Sequence, residues 1–198
     1  MAYESFTLEQ QLDKFSLTYA QSKDAYGAIA IRQPSDWLRK TLSIQSPLVA
    51  GKTSEKARSE LLVSPVLIEV REIMEQKIMV FSGIKFDVDK KDGLFGYCDF
   101  LVTKEPFVDV IIAPVIVVAE AKKEDLDAGI PQCAAEMVGA QRFNARRDKT
   151  VGIIYGTVTD GTRWRFLELE GNAITIDLRE YTIPELPNIL GILAFMAS

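Results

Sequence analysis

The chain has 198 residues, of which 47% are hydrophobic, and a formal net charge of −5. This length suits one domain of ordinary size, and the composition is sufficient for a full hydrophobic core. Because the sequence contains no histidine, histidine-based catalytic triads and histidine metal sites are excluded. The two cysteines, Cys98 and Cys133, lie in apolar segments without metal-type spacing, so we expect reduced core residues and no zinc site.

Charge and hydropathy also bear on partners and location. The negative net charge counts against a nucleic-acid partner, because neutralising phosphates normally requires a basic surface. The stretch from Gly139 to Phe166 is nevertheless locally basic, and either a solvated basic face or a phosphate contact would explain it. No signal-peptide pattern opens the chain, and the longest apolar run, Val110 to Ala119, is too short to span a bilayer. We therefore expect a cytoplasmic protein without a membrane partner.

The first fifty residues are predicted to be a helical appendage. Thr7 and Gln10 have capping-box spacing and begin an amphipathic helix predicted to run from Thr7 to Ala20. Connections rich in Gly, Pro and Ser then flank a short helix near Asp36 to Leu42. Residues 51–198 are predicted to form a single compact α/β domain.

A long helix is predicted from Ser54, a good N-cap, to Ile73, with Pro65 bending it or loosening one turn. At about 100° per residue, Glu55 falls on the apolar face, whereas Glu60 lies away from it. Glu55 is thus predicted to be the acid that faces the core. The alternative is that both are solvated glutamates favoured by the helix dipole.

Three strand signals follow the long helix: Lys77 to Asp89, Leu94 to Thr103, and Val108 to Ala121. The second contains Asp99 within an apolar run, where an ionised carboxylate is costly unless it is paired or binds a metal. The third ends at Glu120, and Lys122 follows two positions later. Side chains alternate on a strand, so Glu120 and Lys122 point to the same side. The sequence thus predicts two acids and an amine at one sheet edge.

The second half of the chain alternates in the same way. A helix is predicted from Leu126 to Ala145, with Gln132 and Glu136 on one face near its start. A strand from Val151 to Val158 leads through a turn at Asp160-Gly161 into a strand beginning at Thr162. A further strand is predicted at residues 173–178, and an apolar helix is predicted after Pro187.

This order, with Gly96-Tyr-Cys-Asp99 and Val117-Val-Ala-Glu120-Ala-Lys122, resembles the PD-(D/E)XK (restriction endonuclease-like) nuclease superfamily. The hairpin from Tyr155 to Phe166 is similar to one in restriction-subunit nuclease domains, and the resemblance covers about Ser54 to Leu169. It implies a three-layer fold with an αβββαβ core, in which helices flank a mixed central sheet. One departure is Cys98, which stands where a proline often precedes the Asp.

The resemblance also implies roles for individual residues. Asp99, Glu120 and the Ala121 carbonyl would bind Mg²⁺, for which Mn²⁺ could substitute. Lys122 would orient the attacking water. Glu55 or Glu60 would bind a second metal ion or hold a water on the metal, and Gln132 would orient Lys122 or contact the phosphate.

Magnesium-dependent hydrolysis of DNA phosphodiester bonds is the function expected from this resemblance. The alternative is a catalytically inactive nuclease-fold module that binds or scaffolds, with Asp99 and Lys122 as a structural ion pair. The negative net charge favours that alternative. A homodimer or a separate targeting subunit would each be compatible with the sequence.

Overall fold

A computed structural model describes residues 2–51, 54–106, 109–121 and 125–198, with the backbone alone for residues 117–121. The helices within these ranges are α1 (Leu8–Phe15), α2 (Asp36–Gln45), α3 (Glu55–Arg58), α4 (Ser64–Ile73), α5 (Ile130–Ala145) and α6 (Leu186–Met196). The strands are β1 (Thr18–Ser22), β2 (Met79–Lys85), β3 (Tyr97–Thr103), β4 (Val115–Ala121), β5 (Ile153–Thr159), β6 (Arg163–Glu170), β7 (Ala173–Asp177) and β8 (Tyr181–Thr182).

The strands form one mixed sheet in the order β1-β7-β6-β5-β4-β3-β2, and β8 pairs with β6. The β1–β7 and β4–β5 pairs are parallel, and the other pairs are antiparallel. Helices α1 and α5 pack on one face, and α2, α4 and α6 cover the other. The predicted α/β class, with helices on both faces of a mixed central sheet, is confirmed.

The first predicted helix is shorter than expected, and the chain continues as a strand. Thr7 caps α1 by accepting a hydrogen bond from the backbone N–H of Gln10, as the capping box predicts. Ser16 adopts a left-handed conformation with φ of 53°, which ends the helix. Thr18 then begins β1, which pairs with β7. The first fifty residues therefore contribute a strand to the sheet, and Tyr3 and Phe6 are buried in the core.

The predicted long helix is interrupted by a wide turn. Between α3 and α4, residues Ser59–Val63 form a π-helical turn in which the N–H of Ser64 donates to the carbonyl of Ser59. Val63 and Ser64 keep helical backbone angles, so Pro65 lies within a continuous helix, directly after the wide turn. The extra residue in a π-helical turn rotates the side chains of α3 around the helix axis relative to those of α4.

Strand β4 begins later than the sequence indicated, at Val115. Pro114 cannot donate a ladder hydrogen bond, and the Asn144 side chain satisfies the backbone of Val115 instead. The Asn144 Oδ1 accepts from the Val115 N–H at 2.8 Å, and its Nδ2 donates to the Val115 carbonyl at 2.7 Å. The register between β3 and β4 shifts at Val102/Thr103, which marks a β-bulge.

Across the described ranges, no helix combines the length and apolar character needed to cross a membrane.

Candidate functional site

The register of β3 against β4 brings the two predicted acidic positions together. Phe100 pairs with Ala119 in this antiparallel pair, and Leu101 pairs with Val118. Phe100–Ala119 is the last pair of this ladder, and positions 99 and 120 follow it directly on the two adjacent strands. Directly opposite residues belong to the same face of a sheet. Val118 therefore shares a face with Leu101, and alternation along β4 puts position 120 on that same face, at the C-terminal end of the strand.

Helix α5 covers this face. Val118 pairs with Gly156 of β5. A Cβ atom at Gly156 would lie 2.5 Å from Sδ of Met137 and 2.8 Å from Sγ of Cys133, so glycine permits the close approach of α5. The next row on the same face, about 7 Å away, contains positions 120, 158 and 165, and Asp99 follows the last β3–β4 pair beside position 120. We call these four positions the acidic row, after Asp99 and Glu120.

Asp99 lies where β3 emerges from a turn. Gly96 has a φ of 146°, which L side chains rarely adopt, and it precedes the strand directly. Tyr97 is 67% exposed, Cys98 is fully buried and Asp99 is half-buried. The start of β3 therefore passes from solvent into the core within three residues, and Asp99 lies near the boundary.

Gln132 of α5 lies beside the start of β3. A small cavity of about 150 Å³ is lined by Gly96, Tyr97 and Gln132, together with residues 2–4 of the N-terminal turn. The Nε2 of Gln132 donates a hydrogen bond to Oε1 of Glu136 at 3.1 Å. The structure thus brings Gln132 close to the strand that carries Asp99.

Part of the predicted site lies outside the description. Lys122 is not among the described residues, and for Glu120 and Ala121 only the backbone is described. The Ala121 backbone pairs with Thr159 at the end of β5. Among the side chains that are described, no three Asp, Glu or Cys groups converge as metal ligands.

The two helix glutamates are both exposed. Glu60 makes an ion pair with Lys56, with an Nζ to Oε1 distance of 3.1 Å. The prediction that Glu55 faces the core was wrong. The angular position of Glu55 relative to Leu62 was calculated for a regular α-helix. The π-helical turn between α3 and α4 changes that angle.

The basic stretch of the sequence is largely paired with acids of the same chain. Arg146 donates to Asp89 at 2.6 Å, and Arg142 makes an ion pair with Asp92. Arg163 donates to Asp160 at 2.9 Å. These ion pairs join the stretch to the turn after β2 and to the β5–β6 hairpin, so the three arginines are not a free cationic surface.

Two residues near the acidic row were not predicted as site residues. Arg165 belongs to the row itself, and its guanidinium bonds to Asp127 and to Glu180, the latter at 2.8 Å. Glu136 is fully buried on α5. The spacing of Gln132 and Glu136 was a usable signal for Glu136. Arg165 gave no comparable signal, because its position depends on strand pairing over long sequence distances.

No protein-family model matches the chain, and no curated protein matches it significantly.

Proposed function

We propose that the protein is a magnesium-dependent nuclease that hydrolyses phosphodiester bonds of DNA, built on a restriction endonuclease-like fold. The observation that best supports this proposal is the β3–β4 register, in which positions 99 and 120 directly follow the Phe100–Ala119 pair on adjacent strands. Two carboxylates at such positions repel each other unless a cation lies between them. In the proposal a divalent cation takes that position.

The donor set suits magnesium. Mg²⁺ prefers hard oxygen ligands and usually retains several waters, so it needs only one or two carboxylates from the protein. Asp99 and Glu120 supply those carboxylates in the proposal, and the carbonyl of Ala121 supplies a third oxygen. When bound, the ion would neutralise charge on the phosphoryl oxygens and favour ionisation of a water molecule.

The remaining roles belong to polar side chains around the acidic row. Lys122 orients the attacking water and stabilises its deprotonated form. Gln132 orients Lys122 or contacts the phosphate, in keeping with its place beside the start of β3. Glu55 and Glu60 would act only from solvent, because both are exposed in this structure.

One observation favours a second function, a non-catalytic nuclease-fold module that binds or scaffolds. Arginines of the basic stretch are held by acids of the same chain, and the net charge is −5. Both features weaken the attraction of DNA phosphates to this surface. In such a module Asp99 and Lys122 would form a structural ion pair.

Cleavage of plasmid and single-stranded DNA with Mg²⁺ or Mn²⁺ tests the proposal. Asp99→Asn, Glu120→Gln and Lys122→Ala should each reduce cleavage by at least about 100-fold, since each removes a group proposed to act on the metal or the water. Asp13→Asn, at an exposed position of α1, is the matched control and should cleave like the wild type.

Equal residual cleavage in all of these proteins would indicate a contaminant and refute the assignment. Calorimetric titration with Mn²⁺ separates the two functions further. Binding that is lost in Asp99→Asn supports the nuclease, whereas the absence of carboxylate-dependent binding in the wild type supports the scaffold module.

A further inference from the structure

A fully buried carboxylate lies on α5. Glu136 has 0% exposure, and its helix neighbours Cys133, Met137 and Ala140 are also fully buried. Burying a carboxylate is costly unless polar groups compensate for the lost hydration. An apolar residue of similar size would fill the same space without that cost, so the fold alone does not explain an acid here.

Gln132 lies between Glu136 and the acidic row. The chain passes from the C-terminal end of β4 into α5, and Cys133 lies against β5, with Sγ 3.8 Å from the carbonyl of Thr157. Gln132 is therefore at the end of α5 nearest the acidic row. Glu136 lies four residues, about 6 Å, further along the helix axis.

The N-terminal turn and β3 enclose the same region. Tyr3 is 1% exposed, and its hydroxyl packs on Gly139, where an added Cβ would lie 2.5 Å from the oxygen. Burial raises the pKa of the Tyr3 hydroxyl, and the nearby Cys98 and Glu136 raise it further. Glu136 and Tyr3 are thus close together. Both lie in the layer between α5 and the strand that carries Asp99.

We propose that Glu136 is a positioning residue for the site formed by Asp99 and Glu120, and that it acts by fixing the amide of Gln132. Its carboxylate accepts the Gln132 Nε2–H at 3.1 Å. The opposite orientation of the amide would set the Gln132 carbonyl oxygen against the carboxylate, two acceptors with no proton between them. Glu136 therefore selects the orientation in which Gln132 directs its carbonyl oxygen away from Glu136, as an acceptor for an ammonium group or a water. This inference rests on the proposed nuclease function.

The test compares two substitutions at Glu136 with a matched buried glutamate. Glu136→Gln and Glu136→Met both remove the carboxylate, and Met also restores an apolar interior. Glu69 is 4% exposed and accepts from the N–H and Oγ of Ser35 at 2.6 and 2.8 Å, on the opposite face of the sheet. Glu69→Gln is therefore the control for losing a buried carboxylate that is remote from the site.

Both Glu136 variants should lower kcat for DNA cleavage by about 10- to 100-fold with KM unchanged, the usual effect of losing a residue that orients another. Glu136→Met should retain the wild-type melting temperature. Glu69→Gln should retain kcat even where it lowers the melting temperature. In a Gln132→Ala background, Glu136→Met should have no further effect. Wild-type kcat in Glu136→Met, or additive losses in the double variant, would overturn the proposal.

A spectroscopic measurement separates this inference from the nuclease assignment. The side-chain amide signal of Gln132 in a ¹⁵N–¹H NMR spectrum is assigned by its loss in Gln132→Ala. It should shift in Glu136→Met and stay in place in Glu69→Gln. If the wild type does not cleave DNA but the signal shifts, the nuclease proposal fails while the contact between the two residues is supported. A signal that is unchanged in Glu136→Met overturns the positioning role whatever the activity.

Discussion

The β5–β6 hairpin depends on the buried carboxylate of Asp160, and replacing it by asparagine should destabilise the protein strongly. Asp160 is 4% exposed. Its Oδ1 accepts from the N–H and Oγ1 of Thr162 at 2.8 and 2.6 Å and from the N–H of Arg163 at 2.8 Å. Its Oδ2 accepts from Nε of Arg163 at 2.9 Å, and Nη2 of Arg58 lies 3.7 Å from Oδ1. One carboxylate thus joins the hairpin to α3.

The magnitude follows from what asparagine can retain. Its Oδ1 can still accept from Thr162, but its amide group would face Nε of Arg163 donor to donor. Breaking a buried ion pair by removing one partner costs roughly 3–5 kcal/mol, and we take about 3 kcal/mol because Arg163 is partly exposed. For a chain of this size that corresponds to a fall of about 6–12 °C in Tm.

The pH dependence provides a second check. Burial by itself would raise the pKa of Asp160, but the hydrogen bonds from Thr162 and Arg163 outweigh it and hold the pKa below its ordinary value. A carboxylate with a lowered folded-state pKa stabilises the fold above its unfolded pKa of about 3.9, and this stabilisation is lost as the pH falls through the folded-state value. The difference between wild type and Asp160→Asn should therefore be full at pH 7 and shrink below about pH 4.

Urea unfolding and calorimetry of wild type, Asp160→Asn and the exposed control Asp13→Asn measure this effect. The control should unfold with the wild type. If Asp160→Asn melts within about 2 °C of the wild type at pH 7, the substitution lowers the free energy of unfolding by less than about 1 kcal/mol. The hairpin would then not depend on this network, and the reasoning would be refuted.

Two further substitutions test the packing of α5. Gly139→Ala should destabilise the protein by about 1–2 kcal/mol in urea unfolding, because its Cβ would meet the Tyr3 hydroxyl oxygen at 2.5 Å, and it should cost clearly less in a Tyr3→Phe background. An equal cost in both backgrounds would show that the hydroxyl is not the obstacle. Asn144→Ala should cost about 2–4 kcal/mol in the same assay, since it removes the side-chain partners of both the N–H and the carbonyl of Val115. A loss below 1 kcal/mol would mean that these groups find other partners.

The sequence was informative wherever periodicity reflects burial. The apolar run around Asp99 was predicted as a strand because its residues enter both core layers, and Phe100 and Leu101 pack on opposite faces of the sheet. The small residues of α5 predicted close packing on a sheet, and Gly156 now explains how close that approach is. These features are local, so composition and spacing reveal them.

Other features had no local signal. Strand β1 has the sequence Thr-Tyr-Ala-Gln-Ser and is almost entirely exposed, so nothing apolar alternates along it. It exists because its backbone pairs in parallel with β7, about 155 residues later in the chain. The pairing of Arg146 with Asp89, 57 positions apart, is equally non-local. Contacts between distant segments decided whether the basic stretch was free, and a single sequence does not contain that information.

The β-bulge in β4 shows why strand alternation alone could not locate the site. Ile116 packs in the core layer of α4 and α6, so strict alternation from it would assign positions 118 and 120 to that face. The register shift at Val102/Thr103 inserts an extra residue in β4, and Val118 instead pairs with Leu101, which packs in the layer of α5. A bulge of this kind changes the face to which every later residue of the strand belongs. It assigns position 120 to the face of α5, the helix that carries Gln132 and Glu136. The location of Glu120 in the proposed site therefore depends on this irregularity in the sheet as much as on the acid itself.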